Sequence, residues 1–332
     1  MRTDRLPLIL LPLLSSMATD AFIINPIRCF IDPFNRDLST LAVATNAGHP
    51  LDFSDSSILS YSGKDAASKS SWYSEIAVTY QQHRPAYSDE IVSYMLQRCT
   101  KLNPSHTLLE IGSGPGTATK SFAGLVKNMT CLEPNSDFCT LARQTVGQEY
   151  SNINIVQTSL EEYTTNTTFD AILAASSIHW VEPAVARAKC ASLLKDGGSL
   201  LLLWNNIVQP TETVVLALEP IYRKHALHLY QPYRKPGVGR LDLMRDIGKQ
   251  LTLDAFENLQ FGYMLESVEW TAFDYCRTLS TYSPYFSLAT KEELFRDISQ
   301  YIDTHLGGKI SLTYEISFQT ATKIPSHTEV KS

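Results

Sequence analysis

Three glycines at alternate positions follow an apolar run in 107-TLLEIGSGPGTAT-119, and a carboxylate stands just before them. Glycines at the end of a strand permit a tight turn and let a ligand approach the backbone closely. Gly112, Gly114 and Gly116 are spaced as GxGxG, whereas a dinucleotide fingerprint places its third glycine three positions after the second. Glu110 would repel a pyrophosphate and suits a ligand with a positive charge, such as an ammonium or a sulfonium. The stretch therefore predicts a cofactor loop and favours a cationic ligand over a dinucleotide.

Two later segments carry side chains that suit the rest of a nucleoside. Glu133 ends the apolar run in 131-CLEPN-135, where a carboxylate can accept hydrogen bonds from a ribose diol. Both dinucleotides and adenosyl ligands contain that ribose, so Glu133 does not choose between them. The segment 158-TSLEEY-163 follows the next apolar run, where Ser159 or Glu161 would be in reach of an adenine amine.

A fourth segment, 169-FDAILAASSIHWVEP-183, has the residue pattern of a buried strand. Polar and aromatic residues follow the apolar part: Ser176, Ser177, His179 and Trp180. In open α/β sheets the carboxyl ends of the strands bind ligands. A histidine followed by a tryptophan is more often a packing pair than a catalytic one. At this position the pattern favours His179 and Trp180 as pocket residues.

These segments alternate with helical patterns along the chain. The predicted strands cover 107–112, 129–134, 153–159, 169–177 and 198–205, and the predicted helices between them cover 117–127, 135–148 and 183–194. Short apolar strands separated by helices indicate a parallel sheet covered by helices on both faces.

The flanking regions complete the predicted architecture. Two helices, separated by Pro85 and with Ser88 as an N-cap, are predicted between residues 72 and 99. After Asn205 we expect irregular helices over 211–249 with a loop at 231–240. A strand over 259–273, a helix over 291–305 and a last strand over 309–321 follow, which makes seven strands in all.

The order of these motifs resembles the class I S-adenosylmethionine-dependent methyltransferases. It is most similar to the small-molecule branch called methyltransferase type 11, which includes trans-aconitate methyltransferase-like proteins. The resemblance rests on five segments and on an upstream Tyr…Arg-Pro-x-Tyr pattern: 108–116, 131–135, 158–163, 169–183, 193–205 and 80-YQQHRPAY-87. It covers residues 72–205 and extends more loosely to the C-terminus. Ser88 stands where the branch often has a second proline.

The resemblance implies a Rossmann-like α/β three-layer sandwich with a seven-stranded, mostly parallel sheet whose last strand is antiparallel. The implied cofactor is S-adenosylmethionine, with a small-molecule acceptor. We expect cofactor contacts at these residues: Glu110, Gly112, Ser113, Gly114, Gly116, Glu133, Pro134, Ser159, Leu160, Ser176, Tyr80 and Arg84. Trp72, Trp180 and Tyr282 are the expected acceptor contacts.

The expected reaction transfers a methyl group to an oxygen of the acceptor. A carboxylate acceptor needs no base, whereas for a hydroxyl acceptor His179 is the candidate general base because imidazole titrates near neutrality. Three alternatives remain at this point: a nicotinamide-dependent oxidoreductase, a methyltransferase relative without activity, and methylation of RNA or protein, which the acidic charge balance disfavours. Retention of the loop, Glu110 and Glu133 argues against the inactive relative.

Composition sets further limits. The 332 residues carry a net charge of −6 and no block of lysine and arginine, which argues against a nucleic-acid partner. The six cysteines are scattered without a CxxC pair, so we expect neither a metal site nor a disulfide framework. The sequence does not decide between monomer and dimer.

The N-terminal region is predicted to lie outside the enzyme domain. We expect a leader over 1–71, a methyltransferase domain over 72–325 (72–105 helical, 106–205 cofactor-binding, 206–325 acceptor side) and a tail over 326–332. The run 6-LPLILLPLL-14 suits the apolar part of a signal peptide but is too short to span a bilayer. A cytoplasmic location is the first expectation, with secretory or plastid targeting as the alternative.

Overall fold

A computed structural model of the chain describes residues 28–31, 61–99, 102–205, 208–233 and 240–325. Within these residues nine strands form one sheet: β1 (Arg28–Ile31), β2 (Thr107–Ile111), β3 (Asn128–Leu132), β4 (Ile153–Val156), β5 (Phe169–Ala175), β6 (Leu194–Asn205), β7 (Gln209–Pro210), β8 (Phe256–Thr271) and β9 (Lys309–Lys323).

The sheet is mixed, with a parallel half that holds the predicted site. The order is β1-β8-β9-β6-β5-β2-β3-β4, and β7 also pairs with β9. Strands β2 to β6 are parallel to one another, whereas β9 is antiparallel to both β6 and β8. Because β2 lies between β5 and β3, the carboxyl ends of all three strands meet at one edge, where open α/β sheets bind ligands.

The prediction of seven strands was wrong in number. All seven predicted strands are present and the last is antiparallel, but β1 and β7 bring the sheet to nine. Neither extra strand has a sequence signal, because four and two residues are too few to show an alternating pattern. β1 pairs with β8 from within the predicted leader.

Eleven α-helices accompany the sheet in the described residues: α1 (Ala66–Ser71), α2 (Ala77–His83), α3 (Asp89–Cys99), α4 (Thr119–Ala123), α5 (Ser136–Gln144), α6 (Val146–Glu149), α7 (Pro183–Leu193), α8 (Glu212–His225), α9 (Arg240–Thr252), α10 (Ala272–Leu279) and α11 (Lys291–His305). Single 3-10 turns lie at Ser74–Ile76, Ile178–Trp180, Leu227–Leu229 and Ser283–Tyr285.

Side-chain caps fix where several helices begin. Asn135 Oδ1 accepts hydrogen bonds from the N–H groups of Asp137 and Phe138, so α5 begins directly after β3. Glu182 caps α7 through the N–H of Val185, with Pro183 at the first helical position. The elements that carry the site therefore start at residues determined by the local sequence.

Hydrophobic cores cover both faces of the sheet. One contains side chains of α3, α4, α8, α10 and α11, and the other contains side chains of α7 and α9. Successive side chains of β5 point to opposite faces of the sheet, so Leu173 belongs to the first core and Ile172 to the second. The three-layer sandwich predicted from the sequence is the observed architecture.

Several boundaries differ from the predictions. The helix predicted over 117–127 is limited to α4, and the one predicted over 135–148 is divided at Thr145 into α5 and α6. The strand predicted over 259–273 ends at Thr271, which is the N-cap of α10. Part of the predicted 231–240 loop lies outside the described residues, as do the apolar run 6–14 and the tail 326–332.

The described residues contain no helix that is both long and apolar enough to cross a membrane. The four cysteines whose side chains are described, Cys131, Cys139, Cys190 and Cys276, are buried and free.

Candidate functional site

A cavity of about 1060 Å³ opens at the carboxyl edge of β2 to β6. Its wall combines the glycine loop after β2, the segments after β3, β4 and β5, and side chains from the acceptor-side region. This volume exceeds the range of about 300–1,000 Å³ typical for one drug-sized ligand. The cavity therefore has room for a cofactor together with a second molecule.

The three glycines of the loop differ in how closely other atoms surround them. All have positive φ, which disfavours other residues. A Cβ on Gly112 would lie 2.7 Å from Cβ of Ser177, and one on Gly116 would lie 2.7 Å from Cγ2 of Val146. A Cβ on Gly114 would meet nothing within 4 Å. Gly112 and Gly116 thus let the loop pack against its own fold, whereas Gly114 leaves open space beside the cavity; Gly116 does not line it.

Glu110 is a buried carboxyl group at the end of β2. One of its oxygens accepts a hydrogen bond of 2.6 Å from Thr119 Oγ1, and the other has no partner. Burial raises the pKa of Glu110 to about 8. A cationic ligand group would offset this desolvation, so the residue fits the positive ligand end predicted from the sequence.

Glu133 lies beside the loop at the end of β3. Its Oε2 accepts a hydrogen bond of 2.7 Å from the N–H of Gly114, and its Oε1 accepts one of 2.8 Å from the N–H of Asn135. Burial raises the pKa of Glu133 to about 7. Pro134 lines the cavity next to it. The carboxyl group is therefore held in one orientation, as a ribose-binding residue requires.

The segment after β4, for which the sequence predicted adenine contacts, lies on the cavity wall. Leu160 is buried, and Ser159 Oγ accepts a hydrogen bond of 3.2 Å from the N–H of Glu162 within the local turn. Glu161 pairs with Lys69 of α1, Nζ to Oε1 3.2 Å. Both Lys69 and Glu161 line the cavity. Helix α1 therefore covers this part of the site, which the sequence did not predict.

Ser176 has a strained backbone at the end of β5, with φ of 52°. Its Oγ accepts a hydrogen bond of 3.0 Å from the N–H of Asn205 and lies 3.0 Å from the hydroxyl of Tyr87. The side-chain amide of Asn205 in turn donates to the carbonyl of Pro85 at 2.8 Å. Ser176 thus connects the sheet edge to the N-terminal helices on the cavity wall.

Arg84 is a cation without an acidic partner in the described part of the chain. Its guanidinium lies over the rings of Tyr80 and Tyr282, with centroids 4.7 and 4.2 Å away, and donates a hydrogen bond of 2.9 Å to the carbonyl of Thr281. Its Nε has no partner. A lining cation held by aromatic rings and one carbonyl is suited to binding a ligand carboxylate.

Aromatic side chains form a cluster on the cavity wall. Tyr61 stacks on Trp180 with centroids 4.5 Å apart, and Tyr73 meets Trp180 edge-on at 6.2 Å. Trp72 does not line the cavity: it packs behind Trp180 at 6.1 Å, and its Nε1 donates a hydrogen bond to Ser283 Oγ. His179 lines the cavity with its ring 5.7 Å from that of Trp204.

Buried polar atoms without partners are concentrated at this cavity. The described lining residues contribute five such atoms: Arg84 Nε, Glu110 Oε1, Ser113 Oγ, Trp204 Nε1 and Asn205 Oδ1. Buried polar groups in proteins are nearly always hydrogen-bonded, so this concentration indicates a site built around a ligand. No sequence pattern predicted Tyr61 or Lys69 as site residues, and Asn205 was predicted only as the end of a strand.

Comparison with known proteins agrees with this arrangement. Residues 109–202 match the family model described as a methyltransferase domain. An uncharacterized methyltransferase of Mycobacterium tuberculosis is 27% identical over 126 residues, which are 38% of this chain and 49% of the relative. A Dictyostelium discoideum protein, provisionally named a methyltransferase, is 27% identical over 130 residues, or 39% of this chain and 47% of the relative. The chain spans about half the length of the curated relatives it matches.

The fold is shared with solved structures. A protein of Anaeromyxobacter dehalogenans, provisionally named a type II methyltransferase, aligns with a TM-score of 0.54 at 14% identity, covering 73% of this chain and 99% of that one. The segment that contains the glycine loop, residues 109–202, thus matches a methyltransferase domain, and the fold is that of the solved structure.

Proposed function

We propose that the protein transfers the methyl group of S-adenosylmethionine to an oxygen of a small-molecule acceptor. The observation that carries this proposal is one continuous cavity whose wall includes Gly114 and Glu133 as well as apolar side chains of the acceptor-side region. A cofactor bound beside Gly114 and Glu133 would direct its methyl group toward a molecule bound against those apolar side chains.

Each part of the cofactor has a proposed set of contacts in the cavity. Glu133 would accept hydrogen bonds from the ribose hydroxyls, while Ser159 and Leu160 would contact the adenine. Glu110 would lie near the ammonium group, and Arg84 with Tyr80 would bind the carboxylate of the methionine end. The remaining proposed contacts are Gly112, Ser113, Gly114, Pro134 and Ser176, with Gly116 supporting the loop from behind.

When bound, S-adenosylmethionine supplies a methyl group on a sulfonium, and the leaving thioether is neutral. The chain's residues then need to align the acceptor oxygen with the methyl carbon and exclude water, which supplies much of the rate in such displacements. If the acceptor is a hydroxyl, His179 is proposed to take its proton. Trp180 and Tyr282 would contact the acceptor, and Trp72 would support Trp180.

Calorimetric titration with S-adenosylhomocysteine and with NAD tests the cofactor, and transfer of labelled methyl from S-adenosylmethionine to an extract of acidic and phenolic metabolites tests the reaction. We expect S-adenosylhomocysteine to bind and NAD not to bind. Binding of NAD alone would overturn the proposal in favour of an oxidoreductase. The domain start at residue 72 and a cytoplasmic location remain proposals.

A further inference from the structure

The acceptor-side part of the cavity wall contains a set of aliphatic side chains beside tyrosines and a few polar residues. We call the set Val208, Pro210, Val215, Leu218, Leu229 and Leu279 the aliphatic chamber; all six line the cavity. They come from β7, α8, α10 and the segments beside them. Burial of carbon surface is the favourable interaction that such a wall offers, at about 0.8 kcal/mol for each methylene.

Tyrosines of the same cavity wall contribute aromatic rings and no charge. The hydroxyls of Tyr222 and Tyr285 lie 3.1 Å apart and hydrogen-bond to each other. Burial raises the pKa of both phenols well above the usual value, so both stay neutral. Tyr275, also buried, lines the same region. The polar atoms of this pair are therefore engaged with each other, and their rings extend the apolar wall.

The charge of the lining argues against an acceptor with several carboxylates. Among the described lining residues only Lys69 and Arg84 are cations, and Lys69 pairs with Glu161 at the nucleoside end. Five lining residues are glutamates. A carboxylate buried without a cation loses its hydration without compensation. At most one carboxylate can find a free partner here, at Arg84, and the proposed cofactor brings one of its own.

We propose that the acceptor is a hydrophobic small molecule with an extended apolar body and one methylatable oxygen, and not a polycarboxylate. This inference rests on the proposed function and deepens it by naming the substrate class. The branch that the sequence resembles includes trans-aconitate methyltransferase-like proteins, but the sequence itself left the acceptor open.

Two variants on adjacent residues provide a matched pair. Val215 and Val214 are both buried on α8, but only Val215 lines the cavity, whereas Val214 belongs to the core. Val215→Thr places a hydroxyl in the chamber at almost constant volume, and Val214→Thr makes the same change outside it.

The test is calorimetry of 1-alkanols of increasing length, and of aconitate, with protein saturated with S-adenosylhomocysteine. We expect Kd to fall about fourfold for each added methylene until the chamber is full, and aconitate to bind more weakly than the long chains. Val215→Thr should weaken long-chain binding about tenfold, with Val214→Thr close to the parent.

Tighter binding of aconitate, affinity independent of chain length, or equal effects of the two variants would overturn the inference. These outcomes are separate from failure of the proposed function, which would appear as no binding of S-adenosylhomocysteine to the parent protein. In that case the alkyl series with the unliganded protein still tests the chamber.

Discussion

The N–H of Gly114 donates a hydrogen bond of 2.7 Å to Oε2 of Glu133, which joins the glycine loop to the end of the neighbouring strand. Asn135 holds the other oxygen of the same carboxyl group. The loop and the proposed ribose-binding residue are thus connected before a ligand arrives, so little ordering is needed on binding.

Replacement of Glu133 tests this arrangement directly. Glu133→Ala removes the acceptors for the ribose hydroxyls and for the Gly114 N–H, and we expect affinity for S-adenosylhomocysteine to fall about 10- to 100-fold, since hydrogen bonds to charged groups contribute about 1.5–3 kcal/mol. Isothermal calorimetry measures it. Glu149→Ala, which removes an exposed carboxylate paired with Lys120, is the control. Parent-like affinity of Glu133→Ala would refute the ribose assignment.

Gly116→Ala should destabilise the fold although Gly116 does not line the cavity. The added methyl group would lie 2.7 Å from Val146, and φ of 96° is unfavourable for alanine, so we expect a loss of about 1–3 kcal/mol. Thermal and urea unfolding measure it. Gly124→Ala, with no atom within 4 Å and without positive φ, is the matched control. Val146→Ala should rescue part of the loss by removing the clash; equal stability of the two glycine variants would contradict this account.

Affinity for S-adenosylhomocysteine is expected to rise with pH between 5.5 and 7.5. Burial raises the pKa of Glu110 to about 8 and that of Glu133 to about 7, so the unliganded protein holds protons there near neutrality. An ammonium group on the ligand favours the charged carboxylate and lowers its pKa, so binding releases protons. For each proton released, the affinity rises by at most tenfold per pH unit. Calorimetry in buffers of different ionisation enthalpy counts them.

Glu110→Gln is the control for the pH effect. It removes one titrating group without changing the size of the side chain, so the number of protons released should fall. Identical proton release by parent and variant would exclude Glu110 as the source.

The Lys69–Glu161 pair is expected to slow release of the nucleoside. It joins α1 to the segment after β4 at the cavity wall, with Lys69 only 15% exposed. We expect Lys69→Met to raise the dissociation rate of S-adenosylhomocysteine several-fold while changing stability by less than about 1 kcal/mol. Stopped-flow displacement measures the rate. Lys120→Met breaks an exposed pair outside the cavity and should leave the rate unchanged; equal rates for both variants would contradict the role of Lys69.

The parallel half of the fold was predictable because its signals are local. Each of β2, β3 and β5 is a buried apolar run followed at once by small or polar residues. Helix α11 was predicted over 291–305 and has those limits, because Leu294, Ile298 and Ile302 recur at helical spacing and are all buried.

The acceptor side was less predictable because its signals overlap. Alternating apolar residues continue from β8 into α10, which hides the helix start at Thr271, although Thr271 Oγ1 accepts a hydrogen bond from the N–H of Asp274 as an N-cap. Tyr61 and α1 lie in a segment of Ser, Ala and Lys without periodicity. Their position depends on contacts with Trp180 and Glu161, more than 90 residues away, which no local pattern encodes.

The placement of the tryptophans has a spectroscopic consequence. Of the four in the chain, Trp180 and Trp204 lie in the cavity wall and Trp72 packs against Trp180, whereas Trp270 in β8 does not line the cavity. Three of the four tryptophans are therefore at or beside the site. We expect ligand binding to change the intrinsic fluorescence of the unlabelled protein, and Trp204→Phe and Trp180→Phe would separate the contributions of these two residues.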